Sequence, residues 1–235
     1  MDQVVGSQLC VILAGGLGTR LRSAIGDLPK SLAPVGHRTF LELQIIRLAE
    51  AGITGVALSL GHRATDVIDA TAQMVLPIPT RYVQEPKPLG TGGAIQYTLD
   101  TLGLDEVLVA NGDTFLDGDL SAMLEPLRRD SGELVRMAAV NVPDRSRFGG
   151  IITGKHDKVV GFLEKGQSGA GLINAGLYRL CRQAFSGHAG TYSLEQQLLP
   201  ILVEQGHVTL AQLDGSFIDI GVPDDYKRFC AQHAD

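Results

Sequence analysis

Leu9-Cys10-Val11-Ile12-Leu13-Ala14-Gly15-Gly16-Leu17-Gly18-Thr19-Arg20-Leu21 is the stretch whose reading decides the fold, and Pro29-Lys30 completes it. Its first five residues form a continuous apolar run, as in a strand buried on both faces of a parallel sheet. The run breaks into three glycines, a hydroxyl and an arginine. Glycine lets the backbone approach a ligand closely, so that N–H groups converge on phosphate oxygens. Arg20 and Lys30 add positive charge. The stretch therefore reads as a triphosphate cradle at the carboxyl end of a first strand. It is not a Walker A loop, because no Gly-Lys-Ser/Thr closes it. It also fails the dinucleotide fingerprint, because Leu21 stands where the third glycine belongs. A tight connection with an incidental arginine is the bland alternative, which Thr19-Arg20 and Pro29-Lys30 together oppose.

Outward from the cradle, strands alternate with helices. Phe40, Leu41, Leu43, Gln44, Ile45, Leu48 and Ala49 have helical spacing, and Gly52 reads as the residue just past the helix end. Val56–Leu60 reads as a strand, 65–74 as a helix and 80–83 as a strand. A helix from Gly92 or Gly93 to Leu102 and a strand at Glu106–Ala110 follow. This alternation predicts an α/β fold: a Rossmann-like, mainly parallel twisted sheet with helices on both faces. Ligands bind such sheets beyond the strand carboxyl ends, where the cradle and Asn111-Gly112-Asp113 both stand. The second half reads as β-rich, with strands at 134–140, Gly150–Thr153, Val159–Leu163, 172–180 and Val208–Gln212. Ser193–Glu204 is a helix with Ser193 as N-cap and Gln196 completing a partial capping box. Pro223-Asp224-Asp225 opens a terminal helix. No linker is visible, so one domain, 1–235, is expected, with a nucleotide-binding half of about 1–115 and a sugar-phosphate-binding half of about 116–235.

The composition narrows the classes. The chain has 235 residues, 44% of them hydrophobic, with a net charge of −6. It is large enough for a substantial core, and its acidity argues against nucleic-acid binding. Cys10, Cys181 and Cys230 fit neither a zinc spacing nor a disulfide framework, and each reads as a small buried apolar residue. No apolar run reaches the length of a membrane span, and the N-terminus has no basic leader. A cytoplasmic location without membrane association is expected. None of the six histidines stands in a metal spacing.

Asp113 and Asp219 each end an apolar segment and are candidate metal ligands. Two carboxylates, phosphate oxygens and water make a suitable oxygen shell for Mg2+. The alternative for each is a turn or cap aspartate, which is how Asp117 and Asp119 read. Glu85 precedes the run Pro88-Leu89-Gly90-Thr91-Gly92-Gly93-Ala94, whose glycines open a helix and let its N–H groups face a ligand. A carboxylate only accepts hydrogen bonds. Guanine offers two adjacent donors on its pairing edge, so Glu85 favours GTP. A surface glutamate is the alternative.

Together these residues resemble the sugar-phosphate nucleotidyltransferase family, which makes nucleoside-diphosphate sugars. The family opens with G-G-x-G-T-R-L and then P-K, and the resemblance runs from about Leu9 to Phe229. It implies a GT-A-like nucleotidyltransferase fold in which Leu13, Gly15, Gly16, Gly18, Thr19, Glu85, Gly90 and Thr91 hold the nucleotide. It also implies that Arg20 and Lys30 neutralise the phosphates, and that Asp113 and Asp219 hold Mg2+. Glu164-Lys165 matches a Glu-Lys pair, the lysine on the sugar 1-phosphate and the glutamate on sugar hydroxyls. Asn174-Ala175-Gly176 matches N-x-G and Phe148-Gly149-Gly150 a pocket-lining segment, so Asn111, Gly149, Glu164 and Asn174 are the implied sugar-binding set. On sequence alone, Lys165 also reads as solvated and Asn174 as a residue satisfying a turn.

Within the family, residues 88–94, 111–115 and 217–223 look most like the group acting on GTP and D-glycero-α-D-manno-heptose 1-phosphate. That group makes GDP-heptose for bacterial surface polysaccharides. Mannose 1-phosphate guanylyl transfer is the nearest rival, then thymidylyl or uridylyl transfer to glucose 1-phosphate. A non-catalytic regulatory subunit is a rival of another class, opposed by the presence of Arg20, Lys30, Asp113, Lys165 and Asp219 together. A dinucleotide-dependent oxidoreductase is opposed by Ser59-Leu60-Gly61, which puts no acidic residue at the end of its strand. Relatives often form dimers, so a homodimer is a possible partner state.

Overall fold

The computed structural model describes residues 8–16 and 19–233, with Thr19 described in its backbone alone. The elements in chain order are β1 (Leu9–Leu13), α1 (Arg22–Ile25), β2 (Pro34–Val35), β3 (Arg38–Thr39), α2 (Phe40–Glu50), β4 (Gly55–Leu60), α3 (Ala64–Ala72) and β5 (Thr80–Gln84). They continue with α4 (Gly90–Leu102), β6 (Glu106–Asn111), β7 (Thr114–Gly118), α5 (Ser121–Leu124), β8 (Val135–Val142), β9 (Gly150–Thr153) and β10 (Val159–Leu163). The last are β11 (Gly171–Cys181), α6 (Leu199–Glu204), β12 (Val208–Gln212), β13 (Gly215–Asp219) and α7 (Pro223–His233). β4 runs parallel to both β1 and β5. β12 is parallel to β8, and β11 antiparallel to it. The fold is mixed α/β on a mainly parallel central sheet, as the sequence predicts. Among the described residues no helix is long and apolar enough to cross a membrane.

Two compact units divide the chain. The first takes residues up to Pro88, Ala110–Phe115 and everything from Ile218; the second takes Leu89–Val109 and Leu116–Phe217. The first unit therefore draws on both ends of the chain, and the second on its middle.

In the first unit, every residue of β4 is buried, which its uninterrupted Gly-Val-Ala-Leu-Ser-Leu sequence requires. α2 begins at Thr39, whose hydroxyl accepts the Glu42 N–H at 3.2 Å. It ends before Gly52, which takes a positive φ of 97°. Its buried face presents Phe40, Leu41, Gln44, Ile45 and Leu48. Phe40 belongs to a cluster with Phe115, Ile218, Ile220 and Phe229. The Phe115 and Phe229 rings lie 5.0 Å apart, and Phe40 and Phe229 5.2 Å. Phe115 follows Asp113 by two residues, and Ile218 and Ile220 flank Asp219. One apolar cluster thus anchors both candidate metal carboxylates.

The second unit is organised around a buried charge. Glu133 is fully buried. Arg136 donates to it from Nε at 3.0 Å and from Nη2 at 2.8 Å, and the Thr209 hydroxyl and Arg128 N–H donate as well. Burial alone would raise its pKa. The donors, Arg136 foremost, overcome that and hold the carboxyl at about 2, against an ordinary 4.5. Arg136 spends its remaining N–H groups on the Ala122, Glu125 and Pro126 carbonyls, fixing the segment after α5.

Three expectations are revised. Cys10 and Cys181 are buried, but Cys230 is only half-buried. Its thiol points at the Pro34 carbonyl, 3.6 Å away. Ser193 does cap its helix, accepting the Gln196 N–H at 3.1 Å, but the side chain that reaches back to the Ser193 N–H is Gln197, at 2.8 Å. The helix opens as a π-turn over Leu194–Leu198, with the Leu199 N–H bonded to the Leu194 carbonyl. Pro200 cannot donate back into the preceding turn, so the widened turn costs no hydrogen bond there.

Glu133→Gln leaves Arg136 buried without its counter-charge and should lower unfolding free energy by about 3 kcal/mol. Because the folded pKa is depressed, the wild type keeps this stabilisation above about 4.5 and loses it as pH falls towards about 2. Urea unfolding across that window should show a pH dependence that the variant lacks.

Candidate active site

The first unit gathers the strand ends. Ala14 N–H bonds to the Ser59 carbonyl at 2.9 Å, Gly112 N–H to the Leu13 carbonyl at 3.1 Å and Glu85 N–H to the Leu60 carbonyl at 2.9 Å. The contacts are too close for side chains. A Cβ on Gly15 would sit 2.7 Å from the Gly61 nitrogen, one on Gly112 would strike the Leu13 carbonyl, and one on Gly61 would strike the Glu85 carboxylate. Leu13, Gly15, Gly61, Gly112 and the half-buried Glu85 therefore form one continuous surface at the carboxyl ends of β1, β4, β5 and β6. Gly16 and Arg20 are exposed. Gly18 lies outside the described residues, as does the Thr19 side chain.

Lys30 and the two aspartates meet in the same unit. Lys30 Nζ is 2.6 Å from Asp113 Oδ2 and 3.9 Å from Asp219 Oδ1, with the lysine side chain only 15% exposed. The Ile220 N–H donates to the Asp113 carbonyl at 2.9 Å, and the Gly221 N–H to Asp219 Oδ1 at 2.6 Å. A Cβ on Gly221 would lie 2.9 Å from Lys30 Nζ and 2.6 Å from that Asp219 oxygen, so a side chain there would displace the ion pair's own atoms. Two carboxylates already share one cation. Both are hard oxygen donors, which suits a divalent ion such as Mg2+. Among the described residues no cluster of three or more acidic, histidine or cysteine ligands exists. An ion here would take its remaining oxygens from a bound phosphate and water.

In the second unit, Gly149 has a φ of 77°, and its side-chain position lies 2.6 Å from the Leu163 carbonyl and 3.8 Å from Lys165 Cγ. Gly149, Glu164 and Lys165 are thus neighbours, the latter two exposed. Phe148 packs edge-on to Phe217 at 5.6 Å. Asn174 is used internally: its Nδ2 donates to the Tyr178 hydroxyl at 2.7 Å and its Oδ1 accepts the Gly176 N–H at 2.9 Å. It stabilises the irregular register between β11 and β8, the turn-satisfying alternative left open by the sequence. Asp119 accepts from the Ser121 N–H at 2.9 Å but stands one residue before the helix cap, Leu120, and Asp117 lies in β7 rather than a loop.

The α4 N-terminus also differs from expectation. The Gly92 and Gly93 N–H groups donate to the Tyr192 carbonyl, at 3.0 and 3.4 Å, instead of facing a ligand. Thr91 is bonded through its hydroxyl to Glu195 at 2.7 Å.

Gln44 was not singled out in the sequence. It is 5% exposed, and its amide donates to the Asn111 carbonyl at 2.8 Å and the Thr114 carbonyl at 3.0 Å. It clamps both sides of the turn that carries Asp113. The available signal was an amide on the apolar face of a helix, since a buried polar group needs a partner.

A protein-family model described as nucleotidyl transferase matches residues 9–235. The chain belongs to the nucleotidyl transferase family. It is 37% identical over 221 residues to the D-glycero-alpha-D-manno-heptose 1-phosphate guanylyltransferase of Campylobacter jejuni, covering 93% of this chain and 97% of that protein. It is 34% identical over 224 residues to the mannose-1-phosphate guanylyltransferase of Mycobacterium tuberculosis, covering 93% of this chain and 62% of that one. The crystal structure of HddC from Yersinia pseudotuberculosis matches with a TM-score of 0.85 at 31% identity, covering 96% of this chain and 99% of the other. HddC complexed with GMP-PN matches with a TM-score of 0.84.

Gln44→Leu keeps the volume of the side chain but leaves the Asn111 and Thr114 carbonyls without their donor. Each unsatisfied group costs about 1–3 kcal/mol, so the variant should unfold at a clearly lower urea concentration. Gln44→Glu, which cannot donate, should be at least as damaging.

Proposed function

We propose that this protein transfers GMP from GTP to a sugar 1-phosphate, with D-glycero-α-D-manno-heptose 1-phosphate as the substrate, releasing pyrophosphate and GDP-heptose. The observation that carries the reading is the Lys30–Asp113–Asp219 cluster beside the glycine-lined strand ends, in a nucleotidyl transferase. The base and sugar follow the heptose guanylyltransferase to which the chain is similar over nearly the whole of both proteins. The GMP-PN complex of HddC supports a guanine nucleotide.

An oxygen of the sugar phosphate forms the new bond to the α-phosphorus, and the bond from that phosphorus to the pyrophosphate oxygen breaks. The nucleophile is already an anion, so no strong base is required. The protein's work is positioning and charge neutralisation. The Gly15–Gly16 backbone admits the triphosphate, and Arg20 and Lys30 neutralise its charge. Lys165 aligns the attacking phosphate, while Glu164 and Gly149 border the sugar. Glu85 accepts the two donors of the guanine edge. Asp113 and Asp219 hold a divalent cation, Mg2+, which when bound neutralises phosphate oxygens. Lys30 already bridges the same carboxylates, so it keeps them from repelling one another.

Mannose 1-phosphate is the second reading, favoured by the 34% identity to a mannose-1-phosphate guanylyltransferase. The chain's coverage of only 62% of that protein, against 97% of the heptose enzyme, weighs towards the heptose.

Pyrophosphate release across a matrix of nucleoside triphosphates and sugar 1-phosphates should peak with GTP and the heptose phosphate. Equal or greater turnover with mannose 1-phosphate would favour the second reading, and no release with any pair would end both. Asp113→Asn should abolish turnover while circular dichroism stays unchanged. Glu85→Gln should lower kcat/KM for GTP by about tenfold to a hundredfold, as expected when a paired polar contact is lost, with much less effect on a pyrimidine nucleotide.

A further inference from the structure

Residues 144–149 and 164–170 flank the β9–β10 hairpin in the second unit, and they are bonded to each other at four points. The Gly166 N–H donates to the Ser146 carbonyl at 2.7 Å, and the Arg145 N–H to the Gly169 carbonyl at 3.0 Å. The Gly169 N–H donates to Asp144 Oδ1 at 3.3 Å, and Arg145 Nη1 to the Ala170 carbonyl at 2.9 Å. Residues 164–170 form no helix or strand, so these bonds, rather than a ladder, set the course of the segment. Lys165 stands in its midst. It precedes the bonded Gly166, and its Cγ is 3.8 Å from the side-chain position of Gly149.

Arg145 packs as well as bonds. A Cβ on Gly150 would lie 3.0 Å from Arg145 Cδ, and one on Gly171 2.9 Å from its Nη1. The side chain thus runs along the first residues of β9 and β11, where two glycines make room for it. Its Nε is buried and, among the described residues, has no acceptor. An unpaired buried donor costs stability, so the fold keeps this arginine in place against a penalty. Asp144 secures the same junction. It accepts the Ser146 N–H at 3.1 Å, the Ser146 hydroxyl at 2.9 Å and the Gly169 N–H. These donors, the Ser146 N–H foremost, hold its carboxyl below the usual range, which keeps it an ionised acceptor.

We propose that Arg145 is a positioning residue for the sugar phosphate: with Asp144 it ties residues 164–170 to residues 144–149, and so holds Lys165 beside Gly149. This rests on the nucleotidyl-transfer reading, in which Lys165 aligns the attacking phosphate, and extends it to two residues that touch no substrate. The link to the Ala170 carbonyl needs one donor on a long side chain, which a lysine also supplies. A bidentate grip on a phosphate would need the guanidinium itself.

The test is steady-state kinetics of the wild type, Arg145→Met, Arg145→Lys, Asp144→Ala, Lys165→Ala and the Arg145→Met/Lys165→Ala double variant. The substrates are GTP with D-glycero-α-D-manno-heptose 1-phosphate or mannose 1-phosphate, and amide hydrogen exchange is measured alongside. Arg145→Met and Asp144→Ala should each lower kcat/KM for the sugar phosphate by about tenfold, as expected when one charge-assisted hydrogen bond is lost. KM for GTP should stay within about twofold. Arg145→Lys should keep kcat/KM within about threefold of the wild type. The double variant should be no worse than Lys165→Ala, because Arg145 acts through that lysine. The Gly166 and Gly169 amides should exchange about tenfold faster in Arg145→Met, while the Ile220 amide is unchanged. Faster exchange with wild-type kcat/KM would reduce Arg145 to a structural contact and overturn the inference. Additive losses in the double variant, or an Arg145→Lys variant as weak as Arg145→Met, would overturn it in favour of direct contact with the substrate. Wild-type protein that releases pyrophosphate with neither sugar phosphate would overturn the nucleotidyl-transfer reading itself, whatever the exchange rates.

Discussion

Two carboxylates sharing one half-buried ammonium is the interaction on which the first unit depends. Asp113 and Asp219 are far apart in the chain, and bare carboxylates at this spacing would repel each other. Lys30 relieves that repulsion from a side chain that is itself largely shielded from water. Glycine at 221 leaves the lysine and the Asp219 carboxylate where they meet, since a Cβ there would displace one of them. The arrangement also needs the Phe40–Phe115–Phe229 cluster to hold the two backbones beneath it. The apolar residues Phe115, Ile218 and Ile220 thereby set the geometry of the acidic ones.

The turn carrying Asp113 illustrates how completely such a site is held. Its Asn111 and Thr114 carbonyls go to Gln44, its Gly112 N–H to Leu13, and the Asp113 carbonyl to Ile220. Four groups reach three residues, drawn from α2, β1 and the position just past β13. A carboxylate fixed through its own backbone is ready for a cation without paying the cost of ordering when one arrives. The second unit uses a different device, a buried glutamate surrounded by donors, whose guanidinium partner extends the order to the neighbouring loop.

Much of this was legible beforehand. β1, β9, β10 and β12 fall where the apolar runs put them, because such a run favours a strand and turn residues bound it, although β9 and β10 leave Ile152, Val160 and Phe162 exposed. The short strands β2 and β3 were not legible, since two residues carry too little pattern to separate strand from loop, and β7 was hidden by Asp117 and Gly118, which read as loop residues. The sequence reading placed Asn174 on the sugar and Thr91 on the nucleotide. Their partners, Tyr178 and Glu195, are read only in the folded chain, and they give both side chains an internal use. Gln44 looked like one more position on a helix face.

The sequence by itself determined the fold class, the family and the chemical types at the site, because hydrophobic period and residue type are local properties. It supplied the glycines that permit close approach, and the cations and carboxylates proposed above for phosphate and a metal ion. Only the tertiary structure decided which of these meet. Lys30 reaches both aspartates because an aromatic cluster folds α7 against α2, and no spacing along the chain encodes that contact. The same holds for the glycines after Leu89, which the sequence offers to a ligand and the fold gives to Tyr192. A donor's availability depends on what packs against it, and that is settled only when distant segments come together.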